Sequence, residues 1–450
     1  MKPELRQFYK TVLQLAIPVT IQNIFMSSLN MVDTIMVGQL GAVEIAAVGQ
    51  ANRFSFIMII VLFAISSGTA IFTAQYWGKK DLERIGTVTA IAMGLNSAIA
   101  LGFCLAGLFF PALIMRAFTN DPEVIAAGVT YLRYVAPGAL FLVVPMLYSF
   151  VLRSMEEVKL PMYTSIISIA TNTFMNYCLI FGKFGFPAWG VKGAAIATVL
   201  SRIIETVIML IVVGKTPRPL LKMQDFFTFS PIVLRQFFAT TMPVLVNEFS
   251  WVMAVTMYGV VYGRMGTADV AAMNILSPVE QFAASCFFGI SSATSIMVGN
   301  QIGAGNKETA YLYAKRFAIF TPIGAVLVGV LVALIAPFVI AMYNVPPSVK
   351  TLTVNCLFVL SAALWMKMFN MINIVGILRG GGDTKFSMYI EMCSIWLFGV
   401  PLAFFGGLVW KMAIYWVFAL TQFEELIKMS IGIHRLASRK WMHDLTQTHH

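Results

Sequence analysis

Charge is what this sequence has least of: Asp, Glu, Lys and Arg make up 11% of its 450 residues, against 59% hydrophobic. A water-facing domain carries roughly 25% charged residues, so most of this chain's surface is expected to face lipid. Histidine is confined to the C-terminal end, at His434, His443, His449 and His450. The apolar segments therefore hold no imidazole for metal ligation or proton transfer. The five cysteines, Cys104, Cys178, Cys286, Cys356 and Cys393, stand singly with no CxxC spacing, which supports neither a metal site nor a disulfide framework. No GxxxxGK[ST] loop occurs, so an energy source other than a bound nucleotide is expected, namely an ion gradient. Paired nucleophile motifs are missing too, which argues against an enzyme, and no repeated filter loop suggests a channel.

What the chain has instead is long apolar runs. Those at 56–74 and 318–340 far exceed the ~10 residues of a tilted barrel strand, and peptide groups in lipid must be paired internally. They are expected to be helices. At about 20 residues per span, the pattern predicts helices near 11–37, 46–76, 88–113, 126–152, 160–182 and 189–214. A second six follow near 236–262, 270–301, 317–341, 351–377, 386–408 and 410–432. The expected fold is an all-α membrane protein of twelve spans in two six-helix bundles. Residues 1–214 form the first lobe, 215–235 a polar linker with Pro217 and Pro219, 236–433 the second lobe, and 434–450 a tail. The first apolar segment is too long for a cleavable leader. The net charge of +11 reads as a topology signal rather than a nucleic-acid surface. Most Lys and Arg fall at one set of span ends, which places both termini in the cytoplasm.

The two groups of helices repeat. At an offset of about 225 positions, Pro18-Val19 falls on Pro243-Val244, Gly38 on Gly263, Gly41 on Gly266, Ser66-Ser67 on Ser291-Ser292 and Gly78 on Gly303. One position out of step, Leu152-Arg153 meets Leu378-Arg379, and Lys159 meets Lys385. Apolar bias does not align Gly, Pro, Ser and Arg, so the repeat points to duplication of a six-helix unit.

Ionisable groups inside spans cost several kcal/mol and are functional candidates by default. Asp33 stands in the first helix, with Asn30 one turn before it. On the fifth helix Ser165, Ser168, Asn172 and Asn176 recur at spacings of three and four, forming one polar stripe. Together they offer a carboxylate and amide oxygens, the donors a hard cation requires. In the second half, Glu248 follows Pro243 and Asn247, Glu280 opens the eighth helix, and Lys367, Asn370 and Asn373 line one face of the tenth. A lysine in a span pairs most cheaply with a carboxylate, here Glu248, Glu280 or Glu391. Glu205, Glu391, Glu424 and Glu425 are expected near helix ends. The 28 Met and 36 Phe suit a pliable site for organic cations.

Four stretches carry a family resemblance: Met31-Val-Asp-Thr-Ile-Met-Val-Gly38, Phe181-Gly-Lys-Phe-Gly-Phe-Pro187 with Gly193-Ala-Ala-Ile-Ala-Thr198, Val298-Gly-Asn-Gln-Ile-Gly-Ala-Gly305, and Leu378-Arg-Gly-Gly-Gly-Asp-Thr-Lys385. In order and spacing the chain resembles the multidrug and toxic compound extrusion (MATE) transporters, in the NorM-like branch. The resemblance implies two six-helix lobes around a cleft, and a monomer in the bacterial inner membrane that exports cationic amphipathic compounds in exchange for H⁺ or Na⁺. It implies a first-lobe cation or Na⁺ site at Asp33, Asn172, Asn176 and Thr198, and a second-lobe coupling or substrate site at Glu248, Glu280, Lys367, Asn370 and Asn373. Some members carry Asp where Asn176 stands, and an acidic residue near Lys367. No cofactor beyond the coupling ion is implied. The alternative is a related flippase for lipid-linked oligosaccharides, which needs several basic groups for pyrophosphate.

Overall fold

The computed structural model describes residues 3–215, 222–226, 230–341, 343 and 345–447, without the side chains of Pro3, Asn30, Met223 and Gln224. Pro217, Pro219, His449, His450 and the Asn30 side chain thus lie outside the described residues. Among these every regular element is helical. In order they are α1 (Pro3–Gly38), α2 (Ala42–Lys79), α3 (Leu82–Phe109), α4 (Pro111–Phe118), α5 (Pro122–Val135), α6 (Gly138–Ser154), α7 (Lys159–Phe181) and α8 (Gly190–Lys215). After a single 3-10 turn at Met223–Phe226 come α9 (Pro231–Met265), α10 (Thr267–Gly303), α11 (Lys307–Ala341) and α12 (Pro347–Met371). The last are α13 (Thr384–Ser394), α14 (Val400–Phe404), α15 (Ile414–Thr421) and α16 (Phe423–Ala437). Wide π-helical turns at Ile372–Leu378, Ile395–Gly399 and Phe405–Val409 continue α12, α13 and α14.

Local chemistry sets several boundaries. Asp121 caps α5, accepting from the Glu123 and Val124 amides at 2.9 and 3.4 Å, with Pro122 in the first turn. Asp81 likewise accepts from the Arg84 amide at the start of α3. Both satisfy amides that have no partner inside the helix.

Among the described residues ten helices are long and apolar enough to cross a membrane, or eleven if the pair α5 and α6, bent by 56°, is one span. The sequence pattern predicted a single helix there, near 126–152. Pro137 stands in the break and has no N–H for the turn before it, which kinks the chain. The twelfth expected span, 410–432, is realised as α15 and α16, divided at Gln422 and running on to Ala437. Its second part carries Glu424, Glu425 and Lys428, too much charge to register as simple apolar membrane helix.

The chain forms two compact units. One comprises Ile21–Trp77 and Asp81–Thr241; the other Met1–Thr20, Gly78–Lys80 and Met242–His450. These follow the two sequence halves except at their edges, where the start of α1 belongs with the later helices and the start of α9 with the earlier ones. In the first unit α8 packs on α5, α6 and α7, around Val37, Ala51, Met115, Leu132 and Ala195. In the second, α12 packs on α10, α11 and α15, around Leu276, Leu357, Leu360, Leu364 and Val417. The tail after α16 folds back within this unit. Trp441 is fully buried and lies so close to Gly381 that a Cβ there would stand 2.3 Å from its ring.

Candidate functional site

In the first unit Asp33 sits on α1, Asn172 and Asn176 on α7, and Thr198 and Ser201 on α8. The two amides are buried at 3% and 2% exposure, because the polar stripe of α7 faces α1 and α8 rather than lipid. Asn176 Nδ2 donates to Asp33 Oδ1 at 2.6 Å and to Asn172 Oδ1 at 3.0 Å. Asn172 Nδ2 reaches Ser201 Oγ at 3.4 Å, and Ser201 in turn donates to the Thr198 carbonyl at 2.9 Å. Asn176 Oδ1 is buried without a hydrogen-bond partner. A buried acceptor left open costs about 1–3 kcal/mol, so a spare oxygen beside a carboxylate suits a proton donor or a hard cation. The Thr198 hydroxyl donates to the Ala194 carbonyl at 3.0 Å and does not touch Asp33. Three of the four predicted residues are therefore joined directly, and Thr198 only through its backbone.

A second network in this unit was not legible as such. Ser165 Oγ accepts from Gln22 Nε2 at 2.7 Å and donates to Glu205 Oε1 at 3.1 Å. Arg153 Nη2 donates to Gln22 Oε1 at 2.5 Å. Arg153, in the last turn of α6, is 7% exposed, and Glu205 joins the α7 stripe instead of ending a helix. Arg202, one turn before Glu205, interacts electrostatically with Asp33, Glu205 and Tyr131. The signal for it was present: it is an arginine inside an apolar span.

In the second unit the charges pair extensively. Arg379 Nη1 donates to Glu248 Oε1 at 2.7 Å, and its Nη2 lies 3.8 Å from Glu391 Oε2. Asn247 Nδ2 donates to the same Glu391 oxygen at 2.7 Å. Lys367 pairs with Glu280, and its ammonium lies 5.4 Å over the Phe418 ring. Of the three carboxylates open to it from the sequence, Glu280 is the partner, while Glu248 and Glu391 are held by Arg379. Asn370 Nδ2 donates to Glu425 Oε2 at 2.7 Å and to its carbonyl at 2.8 Å. Glu424 and Glu425 flank Lys428 at 3.2 and 3.3 Å, and the Tyr258 hydroxyl donates to Glu424 Oε2 at 2.7 Å. Asn373 is fully buried, and among the described residues neither of its side-chain polar atoms has a hydrogen-bond partner. Glu391, Glu424 and Glu425, expected at helix ends, are thus parts of the interior network. Sequence spacing puts Lys428 one turn after Glu424 and Glu425 on α16, but gives no sign that Arg379 meets Glu391.

The two units build matching arrangements. At the repeat offset, Gln22 corresponds to Asn247, Ser165 to Glu391 and Arg153 to Arg379. Gln22 contacts both Ser165 and Arg153, whereas Asn247 contacts Glu391, which in turn lies 3.8 Å from Arg379. Among the described residues no three His, Cys, Asp or Glu side chains gather in a manner suited to a metal ion.

Comparison with known proteins bears on the family and the fold. The MatE family model matches residues 18–178 and again 243–405, so its two matches start at the offset of the internal repeat. An uncharacterised transporter of Bacillus subtilis, YisQ, is 27% identical over 419 residues, covering 91% of this chain and 90% of its own. A Thermotoga maritima protein named as a probable multidrug resistance protein, NorM, is 27% identical over 409 residues, covering 90% and 86%. Among solved structures, a MATE protein in a bent conformation superposes with a TM-score of 0.86 at 20% identity, over 96% of each chain. A MOP superfamily transporter from Pyrococcus furiosus superposes with a TM-score of 0.84, also at 20% identity over 96% of each.

Proposed function

The chain belongs to the MatE family, a family of multi-pass membrane transporters rather than enzymes, and from that premise we propose that it is a secondary active antiporter. It exports cationic, amphipathic organic compounds across the bacterial inner membrane in exchange for H⁺ or Na⁺, as a monomer with both termini in the cytoplasm. The relatives named as multidrug resistance proteins support the cargo class. The observation that carries the coupling is Asp33: a carboxylate inside a span, hydrogen-bonded to Asn176, beside the open oxygen of that same amide.

The chemistry follows from charge. An ionised Asp33 in a helix bundle is unfavourable by several kcal/mol until something neutralises it. A proton does so directly. A Na⁺ ion does so with help from the oxygens of Asp33, Asn172 and Asn176, and with the Thr198 hydroxyl once that group turns. Because amides replace a second carboxylate, the site holds one formal charge, which favours H⁺ or mixed use over Na⁺ alone. In the second unit Glu248, Glu280, Lys367, Asn370 and Asn373 serve coupling or substrate binding. There Arg379, Lys367 and Lys428 are neutralised by carboxylates, which favours drug export over a flippase that must offer free cations to pyrophosphate. The test is Asp33→Asn, which keeps the size and removes the charge. Folded protein at normal abundance with little gradient-driven efflux is expected; efflux at the wild-type rate would refute the coupling role.

A further inference from the structure

Arg202 is an interior cation to which the coupling scheme gives no role. It stands on α8 directly after Ser201, which receives the Asn172 amide. Of the other interior cations, Arg379, Lys367 and Lys428 each have a carboxylate within 4.0 Å, and Arg153 has the Gln22 oxygen. Among the described residues Arg202 forms no ion pair within that distance, although Asp33 on α1 and Glu205 on its own helix both act on its charge. Tyr131 on α5 is the remaining titratable group that faces it. Its guanidinium rests against Gly138, where a Cβ would stand 3.2 Å from Nη1. The side chain also lines a cavity with Leu132, Val135 and Ala136, at the bend between α5 and α6. It borders this cavity and has no hydrogen-bonded or ion-paired partner among the described residues.

An arginine without a direct partner in a span is unfavourable, and so is Asp33 once its cation has left. One rearrangement relieves both. We propose that Arg202 is the internal counter-cation of Asp33, pairing with its carboxylate when the coupling ion departs and swinging back toward Glu205 and the α5–α6 cavity when an ion binds. Glu205 is held in place by Ser165, so it remains available as the alternative partner one turn along the helix. Two cations compete for one carboxylate, and the competition speeds release. The inference rests on the reading of Asp33 as the coupling carboxylate.

The test uses the full chain in proteoliposomes. It measures the coupling-ion concentration that gives half-maximal substrate efflux, together with the ion-dependent rise in thermal midpoint of the purified protein. Arg202→Gln should bring half-saturation at a roughly fivefold lower ion concentration with a reduced maximal rate, since coupling between sites is typically fivefold or more. Arg202→Lys, which keeps the charge, should move both values back toward wild type. Glu205→Gln should act in the opposite direction, because Arg202 then has only Asp33 to pair with. If that effect travels through Arg202, it should vanish in the Arg202→Gln background; a direct effect of the Glu205 charge would persist there. Unchanged half-saturation in Arg202→Gln, with Asp33→Asn inactive, would overturn the inference and leave the coupling role of Asp33 standing. Normal efflux by Asp33→Asn would instead remove the reading beneath it. Should Arg202→Gln fail to fold, an unshifted Glu205→Gln decides against the inference by itself.

Discussion

At the scale of single residues, the membrane turns every charge into a commitment. Lys367 and Glu280 illustrate it: their side chains are 19% and 31% exposed, between the surface and fully buried limits. Removing one partner should therefore cost roughly 1–3 kcal/mol, between the small worth of exposed pairs and the larger loss on breaking buried ones. We expect Lys367→Ala and Glu280→Gln each to lower the thermal midpoint, and the double change to be milder than their sum. Strict additivity in that cycle would mean that the pair contributes nothing as a pair. The sequence reading reached Lys367 and the need for a carboxylate, yet Glu280 stood level with Glu248 and Glu391. What separates them is Arg379, which holds the other two. Asp33 and the two asparagines were legible because one helical stripe carries both amides. Arg202 and Glu205 were not assembled into the site, because their partners lie on other helices, and helical periodicity says nothing about those.

At the scale of elements, the apolar runs announced nearly every span, since lipid leaves the backbone few alternatives to a helix. Two departures have named causes. Pro137 divides the fourth span, and Glu424, Glu425 and Lys428 interrupt the apolar pattern of the last one, which runs on to Ala437. The Gly380-Gly381-Gly382 run drew notice as part of a family motif, but its physical use shows only in the fold. The tail returns over this loop: the His443 amide donates to the Gly381 carbonyl at 2.8 Å, Trp441 Nε1 to the Leu436 carbonyl at 3.1 Å, and Arg435 Nε to Asp383 Oδ2 at 2.7 Å. A methyl group at 381 has nowhere to go, since the Trp441 ring and carbonyl both stand within 2.7 Å of it. Gly381→Ala should dislodge the tail at a cost of about 1–3 kcal/mol, the usual range for overpacking. Hydrogen exchange reads this directly: amide protection at residues 438–447 should fall in the variant, while that of α12 is retained. Unaltered protection would show that the loop gives way more readily than the packing implies.

At the scale of the whole molecule, a duplicated six-helix unit has kept its frame and changed its charges. The glycines, prolines and serines of the repeat survive at matching positions. The Gln22, Ser165 and Arg153 arrangement of one half is met by Asn247, Glu391 and Arg379 in the other. What differs is the ionic content. The first unit sets Asp33 among neutral amides, with Arg153, Arg202 and Glu205 in its interior but in no ion pair within 4.0 Å among the described residues. The second pairs Glu248, Glu280, Glu391, Glu424 and Glu425 with Lys367, Arg379 and Lys428. The repeat could be read from the sequence because glycine and proline mark backbone requirements that both halves share. The division of labour could not, because it depends on which charge meets which. Coupling is assigned to the half in which Asp33 has no ion pair within 4.0 Å among the described residues, and that claim has a direct measurement. Efflux of a fluorescent organic cation from proteoliposomes, with a pH gradient or a Na⁺ gradient imposed separately, is compared between wild type and Asp33→Asn. The account predicts wild-type efflux under a pH gradient, with or without a Na⁺-driven component, and its loss in Asp33→Asn. Efflux driven by neither gradient, or equal efflux by the two proteins, would contradict it.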